Sequence, residues 1–273
     1  MKHLTPIYDI ANQFAQYTQT SIFITGNAGT GKTTFLRKLR STTQKQIAVV
    51  APTGVAAINA GGVTIHSFFQ LPFTPFVPTI EGEHNLMSKI KMTSMRRKVI
   101  QELELLVIDE ISMVRADLLD EIDTVLRHIR YRKNLPFGGV QVIFIGDLYQ
   151  LPPVVTPDVQ ETLAPYYEGF FFFNSKVIQQ QPPTYIEFDT IFRQEDTHFI
   201  KLLNEVRLNQ LSNESFELLQ QRYNPDYKIN INFCTSFDAT MADYFEFNIY
   251  STVDSTNTFG IWLSYNYDIS LNR

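Results

Sequence analysis

Gly26-Asn27-Ala28-Gly29-Thr30-Gly31-Lys32-Thr33 is the stretch that decides how the chain is read. It fits the phosphate-binding pattern G-x-x-x-x-G-K-[ST]. Ahead of it, Ser21–Thr25 (S-I-F-I-T) reads as a short buried strand, rich in β-branched and aromatic residues. Behind it, Thr34–Arg40 (T-F-L-R-K-L-R) reads as the start of a helix with Leu36 and Leu39 inward. Strand, glycine-rich turn and helix N-terminus are what the chemistry requires. The glycines let the backbone wrap closely around a polyphosphate. The N–H groups and the positive end of the helix dipole then face it. Gly26 to Thr34 is thus a candidate ATP cradle. Lys32 would reach the β- and γ-phosphates, and the Thr33 hydroxyl would hold Mg²⁺. A glycine-rich turn with a surface lysine is the alternative, and the flanking strand and helix argue against it.

Further strands repeat the theme. Ile47–Ala51 (I-A-V-V-A) and Leu103–Ile108 (L-E-L-L-V-I) read as buried strands, and the second ends in Asp109-Glu110. An apolar strand closed by two carboxylates is the Walker B arrangement. Asp109 would bind Mg²⁺ directly or through water, and Glu110 would orient and deprotonate the attacking water. Val140–Ile145 and Tyr185–Phe188 read as a fourth and a fifth strand. Helical patterns alternate with them. Residues 5–18 carry Ile7, Ile10, Ala11, Phe14 and Ala15 at helical spacing, with Thr5 as N-cap, and Gln13 and Gln16 read as solvated helix glutamines. Asp117–Arg132 is the cleanest amphipathic helix, read as core packing without chemistry. The expected fold is α/β, a RecA-like parallel sheet of about five strands with helices on both faces.

Composition narrows the class. The chain has 273 residues and is 44% hydrophobic, enough for one large domain or two small ones. No apolar run approaches membrane-spanning length, and the N-terminus lacks an apolar signal core. Cys234 is the single cysteine, so an internal disulfide is impossible and a reducing compartment is expected, cytoplasmic or nuclear. With a net charge of −5, any nucleic acid must be held by a local groove rather than by bulk charge.

Two stretches resemble a family. A-P-T-G-V-A-A-I-N-A-G-G-V-T-I-H-S-F-F, from Ala51 to Phe69, looks like the strand-end segments of the Pif-family DNA helicases, a superfamily 1 group. G-D-L-Y-Q-L-P-P-V, from Gly146 to Val154, resembles the helicase motif G-D-x-x-Q-L-P-P-V. D-E-I-S-M-V after Ile108, the aromatic run from Tyr167 to Val177, and F-R-Q at Phe192–Gln194 are similar to the family as well. The resemblance implies an ATP- and Mg²⁺-dependent motor moving 5′→3′ on single-stranded DNA, with junctions carrying a 5′ tail as substrates. Those roles lie in replication, repair, recombination and, in eukaryotes, telomere maintenance. It implies that Gln150 senses the γ-phosphate and that Arg193 reaches it. Since many helicases read the adenine with an upstream glutamine, it also makes Gln13 and Gln16 candidates for that role beside their reading as solvated glutamines. It also implies that Thr53, Gly54, His66, Phe68, Pro152 and Pro153 line the DNA path. The physics of these side chains agrees, since a hydroxyl and bare N–H groups suit a phosphate and aromatic faces suit bases. Taken alone, His66 is more often a satisfied structural histidine and Phe68 more often core. A RecD-like helicase is disfavoured by the form of the Thr53–Phe69 segment.

Residues 70–95 change character. Gln70–Pro78 is rich in proline and aromatics, and excludes a helix or a central strand. Lys89, Lys91, Arg96, Arg97 and Lys98 then form a basic run, and the resemblance implies a small duplex-splitting insertion here. After about residue 229 the resemblance stops, and residues 230–273 contain no lysine. The expected organisation is a motor domain over 1–229 and an unrelated tail over 230–273. The alternative function is a truncated remnant that binds ATP and single-stranded DNA without unwinding.

Overall fold

The computed structural model describes residues 6–27, 29–190, 197–222, 248–253 and 259–264. The chain divides into two compact units, Met1–Glu217 and Leu218–Arg273. In the first, α1 (Pro6–Tyr17) leads into β1 (Ile22–Gly26), and α2 (Lys32–Thr42) begins where the glycine-rich turn ends. β2 (Ile47–Ala51) feeds α3 (Gly54–Ala60), capped by the Thr53 hydroxyl, which accepts from the Ala56 N–H. Then come β3 (Val63–Thr64), α4 (Ile65–Phe69), α5 (Ile80–Lys89) and α6 (Ser94–Glu102). Threonine hydroxyls cap these helices too, at Thr64, Thr79 and Thr93. β4 (Leu105–Ile108), α7 (Ala116–Ile129) and β5 (Gln141–Ile145) complete the sheet's centre. α8 (Pro157–Leu163), α9 (Lys176–Gln180), β6 (Thr184–Phe188), α10 (Thr197–Arg207) and α11 (Asn213–Arg222) follow. In the second unit, β7 (Asn248–Val253) and β8 (Phe259–Ser264) pair antiparallel, with Tyr250 opposite Trp262.

The large sheet runs β3-β2-β4-β5-β1-β6, and every neighbouring pair is parallel. The sequence reading expects about five strands, and six are present. The extra one, β3, is two residues long and pairs Val50 with Val63 at the sheet edge. Two residues are too few to show a strand period.

Alternation along each strand divides the core between the two faces. Leu105 and Val107 of β4 join Ile22, Ile24, Ile143 and Ile145 under Phe35, Leu36 and Leu39 of α2. Leu106 and Ile108 join Phe23, Val142 and Phe144 under Leu119, Ile122 and Leu126 of α7. Each such side chain contributes about 1.5–3 kcal/mol on full burial, so the doubly covered sheet forms a rigid frame.

Some helix faces differ from expectation. On α1 the buried residues are Tyr8, Ala11 and Ala15, and Ile10 is exposed. On α10, Leu202 is buried while Leu203 and Val206 are partly exposed, at 42% and 36%. The aromatic run after Gly169 is only partly core: Phe172 is buried, whereas Phe173 is exposed and stacks on Phe171. α7 departs most, because its polar side is buried as well. Asp120 accepts from the Tyr167 hydroxyl at 2.8 Å and from the Lys176 and Val177 N–H groups at 2.9 Å, which ties down α9. Asp123 accepts from Arg127 and from the Phe137 N–H. Arg130 donates to the carbonyls of Ile100, Gln101, Leu103 and Gly138. These cations of the α7 tail therefore serve internal loops. In the basic run, Arg96 donates to the carbonyls of Ser67 and Phe68 at the end of α4.

Candidate nucleotide site

β1, β5 and β4 are neighbours in a parallel sheet, so their C-terminal ends share one edge. Gly26 closes β1 opposite Phe188 with φ +143°, and a Cβ there would strike the Phe188 carbonyl. Gly31 takes φ +94° as the N-cap of α2 and offers no side chain to the first turn. The leading N–H groups of an 11-residue helix are thereby left facing the loop. Thr30, buried, donates its hydroxyl to the Asn27 carbonyl at 2.9 Å and holds the loop's curve.

Lys32 donates its Nζ to the carbonyls of Gly26 (2.6 Å) and Asn27 (3.1 Å). Burial pulls its pKa down, against the opposing charges of Asp147, Glu110 and Asp109. Among the described residues its hydrogen bonds go to neutral carbonyls, which leaves the ammonium charge available to an anion. Asp109 continues the β4 ladder through its N–H to the Val50 carbonyl at 2.9 Å. Its carboxylate accepts from the Glu110 N–H at 3.1 Å. Glu110 sits in the left-handed region at φ +52°, an uncommon setting for a glutamate and one associated with functional turns. Burial raises both carboxyls. The Asp109 charge raises Glu110 further, and Lys32 works against both shifts.

Asp147, at the end of β5, is buried to 2% exposure. It accepts from Arg207 through two bonds of 2.8 Å, from the Tyr149 N–H at 3.1 Å and from Gln150 Nε2 at 3.2 Å. Gln150 is thus held beside the carboxylate that faces Lys32. Gln150 is expected here from its motif, which contains Asp147 without giving it a role, whereas Arg207 and Asn204, whose Oδ1 accepts from Asn27 Nδ2 at 3.2 Å, stand in no motif. The available signal was the i, i+3 spacing of Asn204 and Arg207 on one helix. Ala28 and Arg193 lie outside the described residues. Gln16 donates to Asn12 and to Thr42 at the far end of α2. That is about 15 Å of helix away from the loop, so Gln16 ties α1 to the end of α2 rather than to the phosphate-binding turn.

The candidate DNA residues follow strand ends on the same edge. Thr53 and Gly54 follow β2, and His66 follows the adjacent β3. Gly54 is exposed with open space above its Cα. His66 stacks on the exposed Phe73 at 4.7 Å and 15°. Burial first, then the Arg115 charge, lowers its pKa against the opposing Asp117, so the imidazole is neutral near pH 7. Phe68 is half-buried against the core and edge-on to Phe69. Pro152 and Pro153 leave β5, with β4 between them and the β2 segment.

A family model described as PIF1-like helicase matches residues 4–216. The chain belongs to the PIF1-like helicase family. It is 41% identical over 194 residues to the ATP-dependent DNA helicase PIF1 of Candida albicans, covering 68% of this chain and 21% of that one. It is 39% identical over 204 residues to the human ATP-dependent DNA helicase PIF1, covering 73% of this chain and 29% of that one. Among solved structures, Pif1 helicase from Bacteroides in complex with ADP-AlF3 and ssDNA superposes with TM-score 0.76 at 41% identity. That match covers 85% of this chain and 52% of the Bacteroides one. The chain therefore spans under a third of these curated relatives and about half of the solved one. The RecA-like α/β reading agrees with this likeness.

Proposed function

We propose that residues 1–229 act as the first RecA-like motor domain of an ATP-dependent DNA helicase that moves 5′→3′ on single-stranded DNA. The observation that carries this is the convergence of Lys32, Asp109, Glu110 and Asp147 on one edge of the parallel sheet, beside an uncapped helix N-terminus. The loop from Gly26 to Thr34 would cradle the phosphates of ATP, with Lys32 transferring its Nζ from the loop carbonyls to the phosphate oxygens. Thr33 and Asp109 would hold Mg²⁺, which neutralises phosphate charge when bound. No group of three or more His, Cys, Asp or Glu that could hold a metal occurs among the described residues. A Mg²⁺ ion fits that donor set, because it usually takes one or two protein oxygens and completes its shell with phosphate and water.

Glu110, with its raised carboxyl, accepts the proton of the attacking water as that oxygen bonds to the γ-phosphorus and the bond to ADP breaks. Gln150 and Arg193 contact the γ-phosphate in this scheme. Thr53, Gly54, His66, Phe68, Pro152 and Pro153 form the strand's path, by backbone N–H groups, a neutral imidazole and ring faces. Junctions with a 5′ tail are the proposed substrates, and a nucleoid or a nucleus the proposed setting. The solved Bacteroides relative is in complex with both ADP-AlF3 and ssDNA, which supports a nucleotide site and a DNA path in one protein of this family. Lys32→Ala should abolish nucleotide binding. Glu110→Gln should keep binding and lower hydrolysis by about 10²–10⁴-fold, the range for loss of a general base. Equal ATP affinity for wild type and Lys32→Ala in a titration would overturn the assignment.

A further inference from the structure

α10 reaches the nucleotide site with two side chains from one helix face, Asn204 and Arg207. Asn204 bonds Asn27 inside the phosphate-binding loop. Arg207 forks onto Asp147, and its guanidinium lies 4.6 Å from the centre of the Tyr149 ring. The pair is shielded, with 17% of the Arg207 side chain and 2% of the Asp147 side chain exposed. A planar two-bond grip of this kind is specific to a guanidinium.

Charge shows what the grip does. Asp109, Glu110 and Asp147 all act on Lys32 by their charge, and among the described residues Arg207 is a further cation acting on it. A triphosphate arriving there must displace or tolerate every uncompensated carboxylate. Asp147 without Arg207 would be a bare, desolvated anion competing with phosphate for the same ammonium. It would also compete for Gln150, whose amide it already holds. As a strut alone the pair would be a poor device, because buried ion pairs rarely stabilise more than apolar packing does.

We propose that Arg207 is a positioning residue of the nucleotide site: by neutralising Asp147 it leaves Lys32 to the phosphates and sets Gln150 for the terminal one. This deepens the ATP reading above and rests on it. The effect is transmitted through Asp147, so removing that charge should compensate for removing Arg207. Asn204 adds a second tie between α10 and the loop, so the helix registers with both parts of the site.

The test uses the 273-residue chain, a fluorescent ADP and a non-hydrolysable ATP analogue, each titrated with Mg²⁺. Arg207→Ala should weaken the triphosphate analogue by about tenfold or more and ADP by less, as one nearby desolvated charge implies. Arg207→Ala combined with Asp147→Asn should recover most of that loss. Thermal melts by circular dichroism identify folded variants. A folded Arg207→Ala chain with wild-type affinity for both nucleotides would overturn the inference. So would a double variant as weak as the single one, because the loss would then not pass through the Asp147 charge. Arg207→Lys keeps the charge without the fork. It should hold affinity within about threefold and turn over about tenfold more slowly, and unchanged turnover would refute the positioning of Gln150. Failure of the wild-type chain to bind either nucleotide would instead refute the ATP reading beneath.

Discussion

Glu121, on α7, is a buried carboxyl with 2% exposure, and its Oε1 has no hydrogen-bond partner among the described residues. Burial, then the charge of Asp117, pushes its pKa from 4.5 up to about 8, against the pull of Arg115 and Lys89. The folded chain keeps this proton at a pH where the unfolded chain has lost it. Stability should therefore fall as pH rises through the unfolded value. The fall should continue at about 1.4 kcal/mol per unit until the folded carboxyl ionises near pH 8, then level off. Over that window the cost reaches about 5 kcal/mol, a large share of the 5–15 kcal/mol typical of a domain. Glu121→Gln has the shape of the protonated acid and cannot ionise. Near pH 5 the two chains should differ by less than about 1 kcal/mol, and by pH 8 the variant should be about 3–5 kcal/mol more stable. Asp120 and Asp123, whose carboxyls burial also raises, are present in both chains, so their effects largely cancel in the difference. Urea denaturation followed by far-ultraviolet circular dichroism reads this directly, with equal slopes confirming a change in stability alone. Parallel stability curves between pH 5 and pH 8, or a variant weaker at pH 8, would refute the reasoning.

Two other outcomes follow. Single-stranded DNA binding should be salt-sensitive and indifferent to sequence, since only phosphate contacts and stacking are on offer. Thr53→Ala or His66→Ala should weaken it without changing nucleotide affinity in fluorescence anisotropy. Because Thr53 also caps α3, a thermal melt must show that the variant has lost only the roughly 1 kcal/mol of a cap. Hydrolysis should decline on acidification with a midpoint above the ordinary glutamate value, because burial and Asp109 raise Glu110. A pH–rate profile flat down to pH 4.5 would remove Glu110 as the base.

The parts of the site that were legible share one property: each is encoded within a few residues. Gly26, Gly31 and Lys32 announce a loop whose geometry depends on their own backbone torsions. Asp109 and Glu110 announce themselves because Leu105–Ile108 before them is apolar and wholly buried. The extent of α7 was legible from its stripe. Its buried carboxylates were not, because a period of 3.6 marks the apolar face and is silent on whether another element covers the polar one. Asp117 needs Arg115 and the Phe76 N–H, and Asp120 needs Tyr167 and the start of α9. None of those partners can be paired by spacing alone.

The same distinction explains why the strand-end motifs converge although about 80 residues separate Lys32 from Asp109 and another 40 separate Asp109 from Gln150. A parallel sheet places every strand's C-terminal end on one edge, so chemistry written at strand ends assembles whatever the intervening length. β5 lies between β1 and β4, which sets Asp147 between the phosphate loop and the Asp109-Glu110 pair. Strand order thus makes Asp147 the central carboxylate of the site, with Lys32 on one side and Glu110 on the other. A helix has no such edge. Where α10 docks is decided by packing, so the i, i+3 spacing of Asn204 and Arg207 marks a shared helix face but not the partner, Asp147, that Arg207 reaches across 60 residues. Motif reading on a fold of this kind is therefore strongest for groups that leave strand ends. It is weakest for the helical cations that balance them, and the charge of the site is set by both.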